Sequence, residues 1–278
     1  MSGEPGLRFD RIAAEYDRVR PSYPDELVDR ACSIAGLSAG SHVVEVGCGT
    51  GKLTVALAKR GLRVDAVDPG ENLLEVARER VAGAAVRFHA GRFEDVELPA
   101  GVFEAVFSAT AFHWVDPDVS WAKAARLLRP GGVLALLTHV GGSLLELDAE
   151  LLAAWREVMP EAAKWYFRDE RELWEGAEAR RGNISEVWAW FEKSDKGRPV
   201  AAELFSDVEI VNVRLEHRET ARELVEHIRT TSSYLGLDTK RRERLEERIV
   251  AAVESAGGTC RSTSFAVLVT ARGSKISP

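Results

Sequence analysis

The amino-acid sequence predicts a doubly wound α/β fold built on a mostly parallel sheet. From residue 42 to about residue 140, short apolar segments alternate with amphipathic helical segments. The apolar segments contain few polar residues, which is typical of parallel strands that helices cover on both faces. A glycine-rich turn directly follows the first apolar segment. At a length of 278 residues, this pattern fits one α/β domain that carries an insertion.

The individual elements follow from periodicity and from residues that end helices. Two amphipathic helices precede the sheet, and Pro21 separates them. Five strands are expected at His42–Val46, Arg63–Val67, Ala85–His89, Ala105–Ser108 and Val133–His139. The helices between them are expected near Lys52–Arg60, Glu71–Val81 and Ser120–Leu128. The segment "RPGG" (129–132) contains a proline and two glycines, which predict a turn before the fifth strand.

The alternation stops after Gly141. From there to about Phe205 the sequence predicts helices, and this segment holds five of the seven tryptophans. A strand is expected again at Val208–Glu216, followed by a helix pair and a last strand at Ser262–Arg272. We therefore predict one domain from residues 1–140 and 206–278, with an N-terminal helical cap at 1–35. Residues 141–205 are predicted to form a helical lid for the substrate, because ligands bind outside the carboxyl ends of parallel strands.

Composition argues against several classes of function. The formal net charge is -7, and the one basic segment, "KRRERLEER" (240–248), is interleaved with glutamates at helical spacing. This pattern is typical of a solvated helix face and argues against nucleic acid or an anionic membrane as a partner. Cys32, Cys48 and Cys260 lie far apart, so neither a disulfide framework nor a metal site is expected. The N-terminal segment lacks an apolar signal, and we expect a cytoplasmic protein.

The segment "HVVEVGCGTGKL" (42–53) carries the strongest functional signal. Gly47, Gly49 and Gly51 occupy every second position, whereas a tight turn alone would require a single glycine. Asp68 ends the next strand, roughly 20 residues after the first glycine, where an acid accepts the ribose hydroxyls of a bound nucleoside. The loop therefore predicts a ligand with a ribose, which leaves a nicotinamide dinucleotide and S-adenosylmethionine open.

Two details favour S-adenosylmethionine. The dinucleotide fingerprint separates its last two glycines by three positions, whereas Gly49 and Gly51 are two apart. Glu45 would repel a pyrophosphate but attract the cationic sulfonium and ammonium groups of S-adenosylmethionine. An NAD-dependent oxidoreductase is thus the less favoured alternative, and a non-catalytic S-adenosylmethionine-binding protein is another.

Four segments carry a family resemblance: "EVGCGTG", "VDPG", "GRFEDVELP" and "FEAVFSATAFHWV". Together they resemble the class I S-adenosylmethionine-dependent methyltransferases, closely over residues 5–140. The N-terminal "FDRIAAEYDRVRPSYP" is similar to the cap of a bacterial branch of small-molecule methyltransferases, and "AFHWV" is similar to a segment of the trans-aconitate type. The resemblance implies a Rossmann-like sheet of seven strands with an antiparallel last strand, S-adenosyl-L-methionine as cofactor, and methyl transfer to a small acceptor.

The resemblance also implies which residues contact the cofactor. Tyr16 and Arg20 are expected at its methionine end, and Leu73 is expected to pack on the adenine. Arg92 stands where many relatives have an aspartate, and an arginine cannot accept a hydrogen bond from the adenine amino group. The expected cofactor contacts are Tyr16, Arg20, Glu45, Gly47, Cys48, Gly49, Gly51, Asp68, Pro69, Leu73, Phe93, Glu94, Ser108 and Ala109.

Candidate catalytic residues follow the fourth and fifth strands. His113 and His139 are the candidate general bases, because the carboxyl ends of these strands border the ligand. The expected substrate contacts are Tyr23, Phe112, Trp114, Trp165 and Tyr166. This aromatic set predicts a small, largely apolar or aromatic acceptor, while the acceptor atom and the oligomeric state stay open.

Overall fold

The computed structural model describes residues 10, 17–19, 21–141, 147–160, 170–194 and 197–274. In these ranges the chain forms a seven-stranded sheet. Its strands are β1 (His42–Val46), β2 (Arg63–Asp68), β3 (Val86–Ala90), β4 (Phe103–Ala109), β5 (Leu128–Gly141), β6 (Phe205–Thr220) and β7 (Thr259–Gly273).

The strands lie in the order β3-β2-β1-β4-β5-β7-β6. Strands β1 to β5 pair in parallel, whereas β7 runs antiparallel to both β5 and β6. The predicted Rossmann-like sheet with an antiparallel last strand is therefore confirmed. The strand order changes direction between β1 and β4, and ligands of such sheets bind outside the carboxyl ends of the strands at this point.

Helices cover the sheet and its carboxyl edge. They are α1 (Asp25–Ala35), α2 (Lys52–Lys59), α3 (Glu71–Arg80), α4 (Pro117–Leu127), α5 (Asp148–Val158), α6 (Glu170–Glu178), α7 (Ile184–Phe191), α8 (Ala201–Leu204), α9 (Ala221–Arg229), α10 (Ser232–Leu235) and α11 (Thr239–Ser255). A short 3-10 helix, Phe112–Trp114, follows β4. Among the residues placed by the structure, no helix combines the length and apolar character needed to cross a membrane.

Helix α4 begins earlier than the apolar pattern predicts. It starts at Pro117 rather than near Ser120, because the Asp116 side chain accepts a hydrogen bond from the Asp118 N–H. An aspartate cap followed by proline is a favourable helix start, since proline lacks the N–H that the first turn cannot use.

Strand β5 also begins earlier than predicted, at Leu128. The segment "RPGG" is part of this strand rather than a separate turn. Its pairing with β4 is irregular between Phe103 and Ala105, so the extra residues form a bulge. A proline is tolerated in a strand at such a bulge because no ladder hydrogen bond is required there.

Apolar side chains fill both faces of the sheet. One face, the first core, packs against α4 and α6–α8, and its largest side chains include Phe103, Phe112, Trp121, Trp188, Phe191, Phe205 and Phe265. The other face, the second core, packs against α1 and α2, with Leu27, Leu53, Leu57, Leu62, Phe107, Leu137 and Leu268. Neighbouring residues of each strand alternate between these two faces.

A third core lies outside the two faces of the sheet and touches it through Cys260 at the start of β7. It joins α5 to α9–α11 and contains Leu151, Trp155, Leu224, Tyr234, Leu245, Ile249 and Val253. Helix α5 belongs to the segment 141–205, whereas α9–α11 lie between β6 and β7. The helices of 141–205 thus pack in two places, α5 in the third core and α6–α8 on the sheet. A single lid formed by these residues stays a prediction.

Candidate active site

A pocket opens at the carboxyl edge of the sheet, where the strand order changes direction. It encloses about 570 Å³ of empty space, part of which is open to solvent. Its walls come from the glycine loop after β1, the start of α2, the ends of β4 and β5, and the segment before α1. The lining residues are Pro21, Tyr23, Glu45, Gly47, Cys48, Gly49, Thr50, Lys52, Leu53, Ala109, Thr110 and His139.

The three positions of the loop require glycine for different structural reasons. All three have positive φ angles. A Cβ atom on Gly47 would lie 2.2 Å from the Ala111 Cβ, and one on Gly51 would lie 3.0 Å from the Ala77 Cβ. A Cβ atom on Gly49 would meet no atom within 4 Å. Packing within the chain therefore accounts for the first and third glycines, while Gly49 leaves its backbone open to a ligand.

Glu45 is a fully buried acid in the wall of this pocket. Its Oε2 atom accepts a hydrogen bond of 2.6 Å from the Thr54 hydroxyl, and its Oε1 atom has no hydrogen-bond partner among the described residues. Burial raises the pKa of Glu45 to about 8; the Thr54 hydroxyl opposes this shift, and the nearby Asp68 adds to it. A buried acid with an unpartnered oxygen suits a ligand that carries a positive charge, because such a charge favours the carboxylate.

Asp68 joins the glycine loop to the end of β2. Its Oδ2 atom accepts a hydrogen bond of 2.9 Å from Gly49 N, and its Oδ1 atom accepts one of 2.8 Å from Gly70 N. Burial raises the pKa of this carboxyl, and the two backbone donors oppose that shift. Each carboxylate oxygen has two lone pairs, so both can accept a further hydrogen bond from ribose hydroxyls.

The expected adenine contacts lie beside the start of α3. Leu73 and Phe93 are buried, whereas Pro69 is exposed. Glu94 Oε1 accepts hydrogen bonds from Arg92 (2.8 Å) and from the Asp116 N–H (2.9 Å). Although burial acts in the opposite direction, these bonds lower the pKa of Glu94. Arg92 therefore fixes the Glu94 carboxylate in place.

His139 lies in the pocket wall and is held by an aromatic neighbour. Its ring stacks on Tyr23 with centroids 4.7 Å apart. The Tyr23 hydroxyl forms a hydrogen bond with Thr110 Oγ1, directly after β4. Thr110 has a φ of +52°, a region that non-glycine residues rarely adopt and that is common at functional sites. No sequence pattern indicates Thr110, because its position depends on a backbone angle that local sequence does not reveal.

His113 lies outside the pocket that contains His139. Its Nδ1 atom is 3.0 Å from Oε2 of Glu192, the residue after α7. Burial raises the pKa of Glu192, but His113 and the Thr138 hydroxyl lower it more, so that the net shift is downward. Thr138 precedes His139 on β5, and the two side chains point to opposite faces of the sheet. Sequence reasoning missed Glu192 because nothing local relates it to His113.

The other predicted residues are distributed as follows. Ser108 is buried and donates a hydrogen bond of 2.8 Å to the Val46 carbonyl, which ties β4 to β1. Phe112 is buried in the first core against Trp121, while Trp114 is half-buried beside His113. Cys48 and Ala109 line the pocket. The remaining predicted residues lie outside the described residues: Tyr16, Arg20, Trp165 and Tyr166.

Described residues of the N-terminal segment contact the glycine loop and α3. Asp17 accepts a hydrogen bond of 2.7 Å from the Thr50 hydroxyl and forms ion pairs with Lys52 and Arg80. Asp10 accepts one of 3.1 Å from Leu73 N, at the start of α3. These contacts hold the segment beside the predicted cofactor site.

Comparison with known proteins identifies the domain. Residues 44–136 match the family described as a methyltransferase domain. The chain is 40% identical over 145 residues to an uncharacterized methyltransferase of Mycobacterium tuberculosis, which covers 52% of this chain and 57% of that protein. It is 34% identical over 151 residues to the malonyl-[acyl-carrier protein] O-methyltransferase of Serratia marcescens, covering 54% of this chain and 56% of that protein. The chain thus spans little more than half the length of these relatives.

Solved structures share the fold over most of the chain. A candidate type II methyltransferase of Anaeromyxobacter dehalogenans superposes with a TM-score of 0.58 at 24% identity, covering 91% of this chain and 97% of that one. Phosphoethanolamine N-methyltransferase 2 of Haemonchus contortus superposes with a TM-score of 0.52 at 18% identity, covering 99% and 61%. The resemblance found in the sequence is confirmed: residues 44–136 match a methyltransferase domain, and the fold is shared with solved methyltransferases.

Proposed function

We propose that this protein transfers a methyl group from S-adenosylmethionine to a small-molecule acceptor. The observation that carries the proposal is the pocket at the carboxyl edge, where a buried acid oxygen of Glu45 lacks a partner beside the open backbone of Gly49. These two features fit the ammonium and sulfonium charges and the close backbone contact of this cofactor. A dinucleotide pyrophosphate would instead bring negative charge beside the Glu45 carboxyl, which disfavours its ionised form further.

Residues of the chain supply binding and orientation. Glu45 faces the methionine end, Asp68 holds the ribose hydroxyls, and Leu73 with Phe93 borders the adenine. The bound cofactor supplies an electrophilic methyl group. The protein aligns the acceptor with that methyl group and excludes water, which by proximity alone can contribute ~7–11 kcal/mol.

His139 is the favoured general base, because it lies in the same pocket as Glu45 and its ring is held by Tyr23. A base acts only within hydrogen-bond reach of the proton that it removes. His113 lies away from this pocket and is paired with Glu192. We therefore assign His113 a structural role rather than a role in proton transfer.

The acceptor is a small, largely apolar or aromatic molecule. The pocket lining includes Pro21, Tyr23, Leu53 and Ala109, which offer apolar surface. The Serratia marcescens relative is named for methylation of an oxygen of a malonyl group, which supports a non-nucleic acceptor. The net charge of -7 agrees with this class. A cytoplasmic location stays a prediction.

The first experiment is isothermal titration with S-adenosylhomocysteine, S-adenosylmethionine and NAD. We expect the two sulfur nucleosides to bind and NAD not to bind. The Asp68→Asn variant should bind S-adenosylhomocysteine at least tenfold more weakly, because charge-assisted hydrogen bonds to the ribose are worth ~1.5–3 kcal/mol. The exposed Glu75→Gln on α3 serves as the charge-matched control. Binding of NAD alone would overturn the proposal.

The second experiment assigns the base. Release of S-adenosylhomocysteine is measured in single turnover with panels of phenols, carboxylic acids and amines. With an active acceptor, His139→Ala should lower the rate at least a hundredfold, in the range of general-base catalysis. His113→Ala should lower it less. Equal rates for His139→Ala and the unmodified protein would show that alignment alone carries the reaction.

A further inference from the structure

Among the residues that the structure describes, no cation pairs with the buried Glu45 carboxyl. Within this part of the chain its hydrogen bond comes from the neutral Thr54 hydroxyl. Lys52 also lines the pocket, but its Nζ atom is 2.7 Å from the Asp17 carbonyl and 3.6 Å from the Asp17 carboxylate. The nearest cation of the pocket wall is therefore engaged by Asp17 rather than by Glu45.

The other groups around Glu45 do not favour its ionised form. Asp68, on β2, is acidic and acts on Glu45 through space in the unfavourable direction. Cys48 is buried in the loop, where burial raises the pKa of its thiol and keeps it neutral. Tyr23 and His139 also line the pocket and stack on each other. A carboxylate at this position would lose its hydration and gain one hydroxyl donor in return.

The unpartnered Oε1 atom gives the acid a place for a proton. A protonated carboxyl needs no countercharge, and its burial raises the pKa of Glu45 to about 8. The situation changes when a cation enters the pocket. A positive charge within a few ångströms favours the carboxylate, and one such neighbour lowers an acid's pKa by ~1–3 units.

Resting on the proposed function, we propose that Glu45 is protonated in the unliganded protein and releases this proton when the cationic end of the cofactor binds. In this step the O–H bond of the carboxyl breaks, its electron pair stays on the carboxylate, and the proton passes to the buffer. The ammonium group of the cofactor then provides the countercharge. Binding of the cofactor and ionisation of one wall residue are thus a single coupled equilibrium.

The coupling has two measurable consequences. The product S-adenosylhomocysteine retains the ammonium group, so it also releases the proton, and it can serve as the probe. Affinity for the probe should increase with pH between pH 6 and 7.5, by at most about tenfold per pH unit, since binding releases up to one proton per ligand in this range. The increase should level off near pH 8, where the free protein has already lost the proton.

The test is isothermal titration with S-adenosylhomocysteine at pH 6.5 in phosphate and in Tris. The two buffers differ in ionisation enthalpy, so the difference in observed heat counts the released protons. We expect close to one proton for the unmodified protein and for Glu75→Gln. Glu45→Gln mimics the protonated acid, and we expect it to bind more weakly, without proton release and without the pH dependence.

A second measurement does not depend on the variant. The infrared carbonyl band of a protonated carboxyl should be present in the unliganded protein at pH 7 and disappear when the probe is added. Binding with no proton release and an unchanged band would overturn this inference while the proposed function stands. Failure of the probe to bind at all would overturn both.

Discussion

Helices α6–α8 and the group α5 with α9–α11 both lie outside the alternating strands and helices of β1–β5, yet they pack in different places. Trp174 and Trp188 bury apolar surface against the sheet, and the Trp174 ring lies 5.2 Å from that of Phe265 on β7. The second group buries Trp155 and Leu245 in a core of its own. The comparison teaches that aromatic richness alone does not identify a lid, because the tryptophans of α6 and α7 are part of the sheet's own core.

The position of the second group is set by the strands that it follows. Helix α9 begins at Ala221, directly after β6 ends at Thr220, and α5 follows the carboxyl end of β5. Arg18, in the N-terminal segment, forms an ion pair of 2.9 Å with Glu226 on α9. We therefore expect this group, rather than α6–α8, to move with the N-terminal segment when the cofactor binds.

The largest expected effect is on the free energy of unfolding and tests whether α6–α8 belong to the core of the sheet. Trp188→Ala removes a buried indole from the first core and should lower the free energy of unfolding by ~3–5 kcal/mol. Urea unfolding followed by far-UV circular dichroism measures this change. A loss below about 1 kcal/mol would mean that α6–α8 are not part of the sheet's cooperative unit.

The second prediction concerns Glu192, which contacts His113 and the Thr138 hydroxyl of β5. Glu192→Gln should lower the free energy of unfolding at pH 7 by ~1–3 kcal/mol, because it removes a charged acceptor from hydrogen bonds in a buried site. The pKa of Glu192 is lower in the folded protein than the value of 4.5 expected when unfolded. The stabilisation is therefore present above about pH 4.5 and is lost as the pH falls through the folded value.

Stability measured between pH 3 and 7 checks this prediction. The unmodified protein should lose more stability on acidification than Glu192→Gln. Glu186→Gln, on the exposed face of the same helix, is the matched control and should follow the unmodified protein. Parallel pH profiles for the unmodified protein and Glu192→Gln would contradict the assignment.

Much of the fold could be predicted from the sequence, because local patterns determine it. The strands β1 and β2 are predicted from apolar runs, and the roles proposed for Glu45 and Asp68 rest on their places within the first run and at the end of the second. The pairing of α5 with α11 could not be predicted, since it joins segments far apart in the chain. The Glu192–His113 contact was missed for the same reason. His113 and His139 lie apart because Thr138, which contacts the Glu192 partner of His113, points to the opposite face of the sheet from its neighbour His139.

The third prediction uses the same substitution in both groups. Ile249→Val in α11 and Ile184→Val in α7 each remove one methyl group from a fully buried side chain, which costs ~1 kcal/mol. Ile249→Val should speed hydrogen exchange about fivefold in α5 and α9–α11 and leave β1 and β4 unchanged. Ile184→Val should speed exchange in the sheet strands instead. Identical exchange patterns would show that the three cores unfold as one unit.

The smallest expected effect tests whether the second group is linked to the cofactor site. Glu226 accepts hydrogen bonds of 2.9 Å from both Arg18 and Arg222, and both arginines are exposed. A solvent-exposed pair of this kind adds little to stability. Glu226→Gln should therefore leave the melting temperature unchanged, but it weakens the one contact between the N-terminal segment and α9 that the described residues provide. We expect S-adenosylhomocysteine to dissociate roughly two- to fivefold faster, and the difference to shrink in high salt, where exposed pairs are screened.

Arg222→Gln is the matched control for this effect, because it removes the intrahelical partner of Glu226 and leaves the contact with Arg18. It should dissociate the ligand at the unmodified rate. In the same samples, bound S-adenosylhomocysteine should slow hydrogen exchange at 17–19 and 221–229, and this protection should weaken in Glu226→Gln only. Exchange slows where a segment is held closed over the ligand. Protection at 170–191 instead would therefore show that α6–α8, rather than α5 with α9–α11, close over the cofactor.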